Sequence, residues 1–213
     1  LEATQGSVAV LEEILDTATA SDAWPATAEA LGRVLELLPR DASDARLAVH
    51  RELGVIHRSH LGDAAGAARH HMAVLAEAPG DEIALSALEE IHLSHNDFEG
   101  LESVLRLRAD QGLTPETRRE AHQRLGQLYE DVMVDLGRAA EVFQAMLENE
   151  ADDEWALGSL RRVRMMDESF EAFVSDLEEL TPRLSDPAAR SALTLEQARL
   201  VRVCLKDYNR AAS

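Results

Sequence analysis

Apolar side chains recur every three or four residues along much of the chain, the spacing that lines one face of an α-helix. Leu53, Ile56, His57 and His60 trace one such face, and Val142, Phe143, Met146 and Leu147 trace another. The stripes are bounded by start signals. Thr114-Pro115-Glu116 and Ser185-Asp186-Pro187 each set a capping side chain before a proline at the first helical position, and Asp63, Asp81 and Asp97 are further candidate caps. All six prolines (Pro25, Pro39, Pro79, Pro115, Pro182 and Pro187) fall near an expected helix end, so none interrupts a helix centre.

The stripes repeat. Leu53-Gly54 and Leu125-Gly126 sit in matching helical patterns, each followed by Leu-Gly (Leu61-Gly62, Leu136-Gly137) and an Ala-rich helix. Ala67 then matches Ala139, His71 matches Phe143 and Leu75 matches Leu147, all at an interval of 72 residues. A second kind of unit is marked by an acidic residue shortly before an aromatic one: Asp22-Ala23-Trp24, Asn96-Asp97-Phe98 and Asp167-Glu168-Ser169-Phe170. Two alternating units of about 36 residues therefore tile the chain, and Lys206-Asp207-Tyr208-Asn209-Arg210-Ala211 begins a further copy.

Each unit reads as two helices, and helices below about 12 to 15 residues are marginal alone in water. Stacking hairpin on hairpin supplies the missing burial. Gly54 against Ala67, and Gly126 against Ala139, are expected to let the two helices of a hairpin approach closely.

These residues resemble the tetratricopeptide repeat family. Leu125-Gly126, Tyr129, Ala139 and Phe143 follow its pattern, as do Leu53-Gly54, Ala67 and Pro79, with His57 and His71 standing where aromatics are usual. The intervening units are degenerate: Leu88-Glu89, Leu101 and Leu105, then Leu160-Arg161, Phe173 and Leu177, keep the spacing without the small residues. The resemblance implies an all-α, right-handed superhelical solenoid of antiparallel helix pairs. It makes residues 1–213 a single array with repeats at 8–41, 46–80, 81–114, 118–151 and 152–186 and a partial one at 187–213. It further implies a concave groove lined by the first helices, which takes a protein or peptide segment. Carried over by alignment, the groove residues are Arg51, Val55, Arg58, Ser86, Glu90, Leu93, Gln123, Gln127, Glu130, Asp131, Trp155, Gly158, Arg162 and Met165. Alternating regular and degenerate units are similar to long arrays in large bacterial multidomain proteins. That similarity and the initial Leu1 suggest a piece of something longer, lacking the full protein's N-terminus.

Composition narrows the partners. Lys plus Arg number 21 against 40 Asp plus Glu, a formal charge of −19, which argues against nucleic acid and against membrane adhesion through basic stretches. Hydrophobic residues at 46% suffice for a core, and aromatics at 4% favour helix over sheet. The lone Cys204 can form no intramolecular disulfide, and no run of about eighteen apolar residues exists to span a membrane, so a cytoplasmic protein is expected.

All eight histidines lie between His50 and His122, and convergent imidazoles are metal ligands. His50, His57, His71 and His92 nevertheless occupy positions that the repeat fills with packing residues, so no metal site is assigned. No phosphate-cradling loop, nucleophile elbow or zinc-binding histidine pair occurs, and no cofactor or catalytic residue is expected. The reading is a non-catalytic interaction scaffold. Its alternatives are a regulatory or self-assembling module of a larger enzyme, and a metal or pH sensor built on His50, His57, His60 and His71.

Overall fold

The computed structural model describes residues 23–206. Among them are ten α-helices and no strand. The start of the first expected repeat, and the copy expected after Lys206, lie outside the described residues. The described chain divides into two compact units, with the boundary between Leu113 and Thr114.

Unit 1 contains α1 (Trp24–Leu37), α2 (Ser43–Ser59), α3 (Ala64–Glu77), α4 (Glu82–Ser94) and α5 (Phe98–Gln111), each packed on the next. Unit 2 contains α6 (Pro115–Gln127), α7 (Leu136–Asn149), α8 (Glu154–Met166), α9 (Phe170–Leu180) and α10 (Pro187–Val203), again in succession. A π turn, Leu128–Met133, prolongs α6, and a 3-10 turn, Thr181–Arg183, follows α9. The helices form antiparallel pairs, as the periodicity implies. No helix among the described residues is long and apolar enough to cross a membrane.

The expected caps form. Asp63, Asp81, Asp97, Thr114 and Asp186 accept hydrogen bonds from amides in the first turns of their helices, and Asp135 and Asp153, not singled out in the sequence, do the same. In unit 1, α1 closes on α2 through Leu31, Val49, Leu53 and Ile56, while Val74, Leu75, Leu85, Leu88 and Val104 join α3, α4 and α5. In unit 2, Tyr129, Phe143 and Phe173 are the largest fully buried side chains.

The close approach within the regular hairpins differs from expectation. The side chain nearest each glycine is a ring. A Cβ built on Gly54 would lie 2.6 Å from Nε2 of His71, and one on Gly126 would lie 2.2 Å from Cε1 of Phe143. Ala67 and Ala139 are fully buried, but the rings at positions 71 and 143 occupy the space each glycine leaves. In the degenerate hairpins a charged residue replaces that glycine and enters an ion pair. Buried Glu89 meets Arg108 of the same hairpin at 2.9 Å, whereas Arg161 of α8 meets Glu196 of α10, outside its own hairpin, at 2.6 Å.

The 72-residue period reappears in the backbone. Gly62 and Val134, like Asn96 and Glu168, adopt left-handed φ angles of 52–63° in the turn before the second helix of each hairpin. In the regular hairpins the next amide reaches back six residues, Asp63 to the His57 carbonyl and Asp135 to the Tyr129 carbonyl, both at 2.8 Å. The degenerate ones reach back five, Asp97 to His92 and Ser169 to Arg164. One extra residue is thus wound into each regular turn, openly so in the π turn of unit 2.

Val134 is β-branched, 74% exposed and left-handed at φ 52°, a conformation costing an L-residue about 1–2 kcal/mol. Its counterpart 72 residues earlier is Gly62. Val134→Gly should therefore raise the urea midpoint of unit 2, with a net gain of about 1 kcal/mol after the entropy of the freer unfolded chain.

Candidate functional site

The first helices α2 and α4 of unit 1 flank a cleft of about 610 Å³. Val55, Arg58 and Ser59 line it from α2, and Glu82, Ile83, Ser86, Ala87 and Glu90 line it from α4. His71 of α3 contributes to its lining, 1% exposed, with an Nδ1 that has no hydrogen-bond partner. Four of the expected groove residues (Val55, Arg58, Ser86 and Glu90) meet here. Val55 and Ile83 keep 44% and 62% of their surface exposed, so apolar groups border the opening. Arg51 lies outside the cleft lining and is held by Asp81, the cap of α4, at 3.1 Å from its Nε. Burial alone would raise the Asp81 pKa, but the Ala84 amide and Arg51 hold it below the ordinary value. Leu93 is exposed near the end of α4, also outside the lining.

In unit 2 the expected residues are spread along α6, the π turn and α8. Gln127 and Asp131 are exposed, while Gln123 and Gly158 are half-buried. Trp155 meets Phe143 edge to face, ring centroids 5.6 Å apart, so its indole packs α8 on the preceding hairpin. Met165 and its neighbour Met166 are exposed.

Arg162 makes a two-pronged ion pair with Glu130, at 2.6 and 2.7 Å. Arg58 and Glu90 form the corresponding pair in unit 1, at 2.8 Å. Position 130 is 72 residues after 58, and 162 is 72 after 90, so the same rung joins first helices in both units with its charges exchanged. Three groove arginines expected to serve a partner thus each hold a carboxylate of their own unit.

A second cleft, of about 550 Å³, lies between α8 and α10 and is lined by Arg161, Glu196, Arg199, Leu200, Val203 and Cys204 together with Ala192. None of these residues is among the groove positions carried over by alignment, although Arg199 was expected as a groove arginine. Register was the available signal, since Arg199 stands 72 residues after Gln127 and 144 after Val55.

The histidines gather at the α2–α3 seam. His50 and His70 bring their Nδ1 atoms within 3.1 Å, and the His57 ring lies 5.2 Å from that of His70. His57 Nδ1 is 2.9 Å from Asp63, whereas His60 stacks on Trp24 with centroids 3.6 Å apart. His50 and His57 thus both flank His70, whereas His60 and His71 lie elsewhere, and no group of three or more potential metal ligands converges among the described residues. His92 is half-buried against Asp97 at 2.7 Å.

No protein-family profile matches the sequence, and no curated protein matches it either. Among solved structures, the chain is similar to a tetratricopeptide repeat protein from Parabacteroides merdae. Identity is 16%, the match covers 98% of this chain and 77% of that one, and the TM-score is 0.47. A likeness at this level adds nothing to what the helices themselves show.

The exchanged rung makes a direct expectation. Arg162→Ala strips its partner from Glu130, whose side chain is only 7% exposed, and should cost about 1–3 kcal/mol in chemical denaturation. Combining Glu130→Arg with Arg162→Glu copies the polarity of Arg58–Glu90 and should recover at least half of that loss.

Proposed function

We propose that the protein is a non-catalytic interaction module that takes a peptide or protein segment between the first helices of adjacent hairpins. The observation that carries this reading is the α2–α4 cleft, where Val55, Arg58, Ser86 and Glu90 come together from two helices beside the exposed Ile83. Its mixture of apolar rim and fixed charge suits an extended segment, whose apolar side chains bury while its polar groups take the orientation that the Arg58–Glu90 rung sets. The α8–α10 cleft offers a similar mixture, with Leu200 and Val203 beside Arg161, Glu196 and Arg199. Ion pairs on both clefts give selectivity through misfit as much as through attraction, since a segment placing like charge on Glu90 or Glu196 is rejected. With a net charge of −19, association with cationic segments is favoured at long range and weakened by salt.

Selection from a random peptide library displayed on phage tests the reading. Peptides captured by the wild-type protein should bind it in solution, and Val55→Arg, which fills the α2–α4 cleft from a position where unit 2 carries Gln127, should weaken a subset of them at least tenfold. Failure to select any peptide, or equal binding of all of them by the variant, would contradict it.

A further inference from the structure

The seam between α2 and α3 carries four imidazoles, and the same seam in unit 2 carries almost none. His50 Nδ1 faces His70 Nδ1 at 3.1 Å, His57 packs beside His70, and His71 sits under the cleft against Gly54. Seventy-two residues later stand His122, Tyr129, Val142 and Phe143, with Phe143 on Gly126. We propose that mild acid opens the α2–α3 hairpin while leaving its counterpart, α6–α7, closed.

The geometry gives the reason. Two imidazole nitrogens 3.1 Å apart share one proton comfortably, but a second proton sets two cations against each other. A proton on Nδ1 of His71 would be buried without a partner. Nearby cations compound the cost: Arg46 from α2 acts on His50, Arg58 from α2 on His71, and Arg69 from α3 on His70.

Most of the anions within reach are already engaged. Asp63 holds His57 and the Gly66 amide, Asp81 at the start of α4 holds Arg51 and the Ala84 amide, and Glu77 of α3 accepts from the Ser43 hydroxyl at 2.6 Å. Glu82 of α4, which lines the cleft with His71, is bound through Oε2 to Arg108 at 3.2 Å, and its buried Oε1 has no hydrogen-bond partner. From the other side, α1 meets the hairpin through Trp24 on His60.

Burial, and then the neighbouring His50 and His57, push His70 down to about 4. Burial is also the leading cause that lowers His71 and His50, with Glu77 opposing it only in part at His50 and Asp81 at His71. Histidines lowered in the folded state take up protons first in the unfolded one, near the ordinary 6.5. Stability is therefore complete above that value and drains away as pH falls from about 6.5 towards 4. In α6–α7 the corresponding residues Val142 and Phe143 do not titrate. Because His71 belongs to the α2–α4 cleft, acid would also withdraw that docking surface. This corollary rests on the function proposed above, whereas the opening itself does not.

Hydrogen exchange resolved by helix, at pH 7.5 and 5.0 and corrected for intrinsic rates, tests the proposal on the whole chain. Protonation of His70 alone is worth about thirtyfold at pH 5, so α2–α3 should lose at least tenfold more protection than α6–α7. Combining His70→Val with His71→Phe, the residues that unit 2 places there, should abolish the difference. Parallel loss in both hairpins, or unchanged loss in the variant, would overturn the proposal. Should the variant fail to fold, imidazole ring-proton titration of the wild type decides: His70 neutral below pH 5.5 supports it, and a midpoint near 6.5 with α2–α3 still protected refutes it. If α2–α3 opens at pH 5 while library-selected peptides are retained as tightly as before, the acid response stands and the docking role of the α2–α4 cleft falls.

Discussion

A ring laid on a glycine is the contact on which the regular hairpins turn. Without a Cβ at Gly54 or Gly126, the first helix presents bare backbone, and the His71 or Phe143 ring of the second helix fills the depression. Any side chain at that glycine would claim the volume of the ring. The contact fixes both separation and register, and Ala67 and Ala139, wholly buried one turn earlier, keep the rest of the seam thin. The degenerate hairpin α4–α5 closes differently, with Glu89 at the glycine position paired to Arg108, while Arg161 at the same position of α8 pairs across to Glu196 of α10. The buried Glu89–Arg108 pair specifies geometry but contributes little net stability beside a well-packed ring.

Around these seams, local chemistry punctuates the chain. Aspartate caps begin most of the helices, and left-handed residues end the first helix of each described hairpin from α2 onwards, so the turns are set by short-range hydrogen bonds before any packing forms. The exchanged pairs Arg58–Glu90 and Glu130–Arg162 then clamp successive first helices. Arg51, Arg58 and Arg162 are each held by a carboxylate of their own unit, so their charges are fixed in place.

The helical fold was legible because its signals are local or periodic: apolar spacing of three and four residues, capping residues, and recurrence at 72. What escaped was what depends on pairing across space. Gly54 and Gly126 were recognised as close-approach positions, but the identity of the opposing residue is not encoded in spacing, since Ala67 and His71 lie one turn apart on the same helix. The exchanged rung was hidden because a search for repeats rewards identical residues, and Arg58 aligned with Glu130 reads as a mismatch. Trp155 and Arg162 drew notice as residue types common at interfaces, and each has a partner within its own unit. The α8–α10 cleft was missed because the aligned groove positions were not carried on to Glu196 and Val203.

Nuclear Overhauser spectroscopy of the α-protons of Gly54 and Gly126 tests the seam most directly. The account predicts cross-peaks from Gly54 to the His71 ring and from Gly126 to the Phe143 ring, with both α-proton sets displaced by ring currents. Cross-peaks from these glycines to the methyl groups of Ala67 and Ala139, with no contact to either ring, would contradict it.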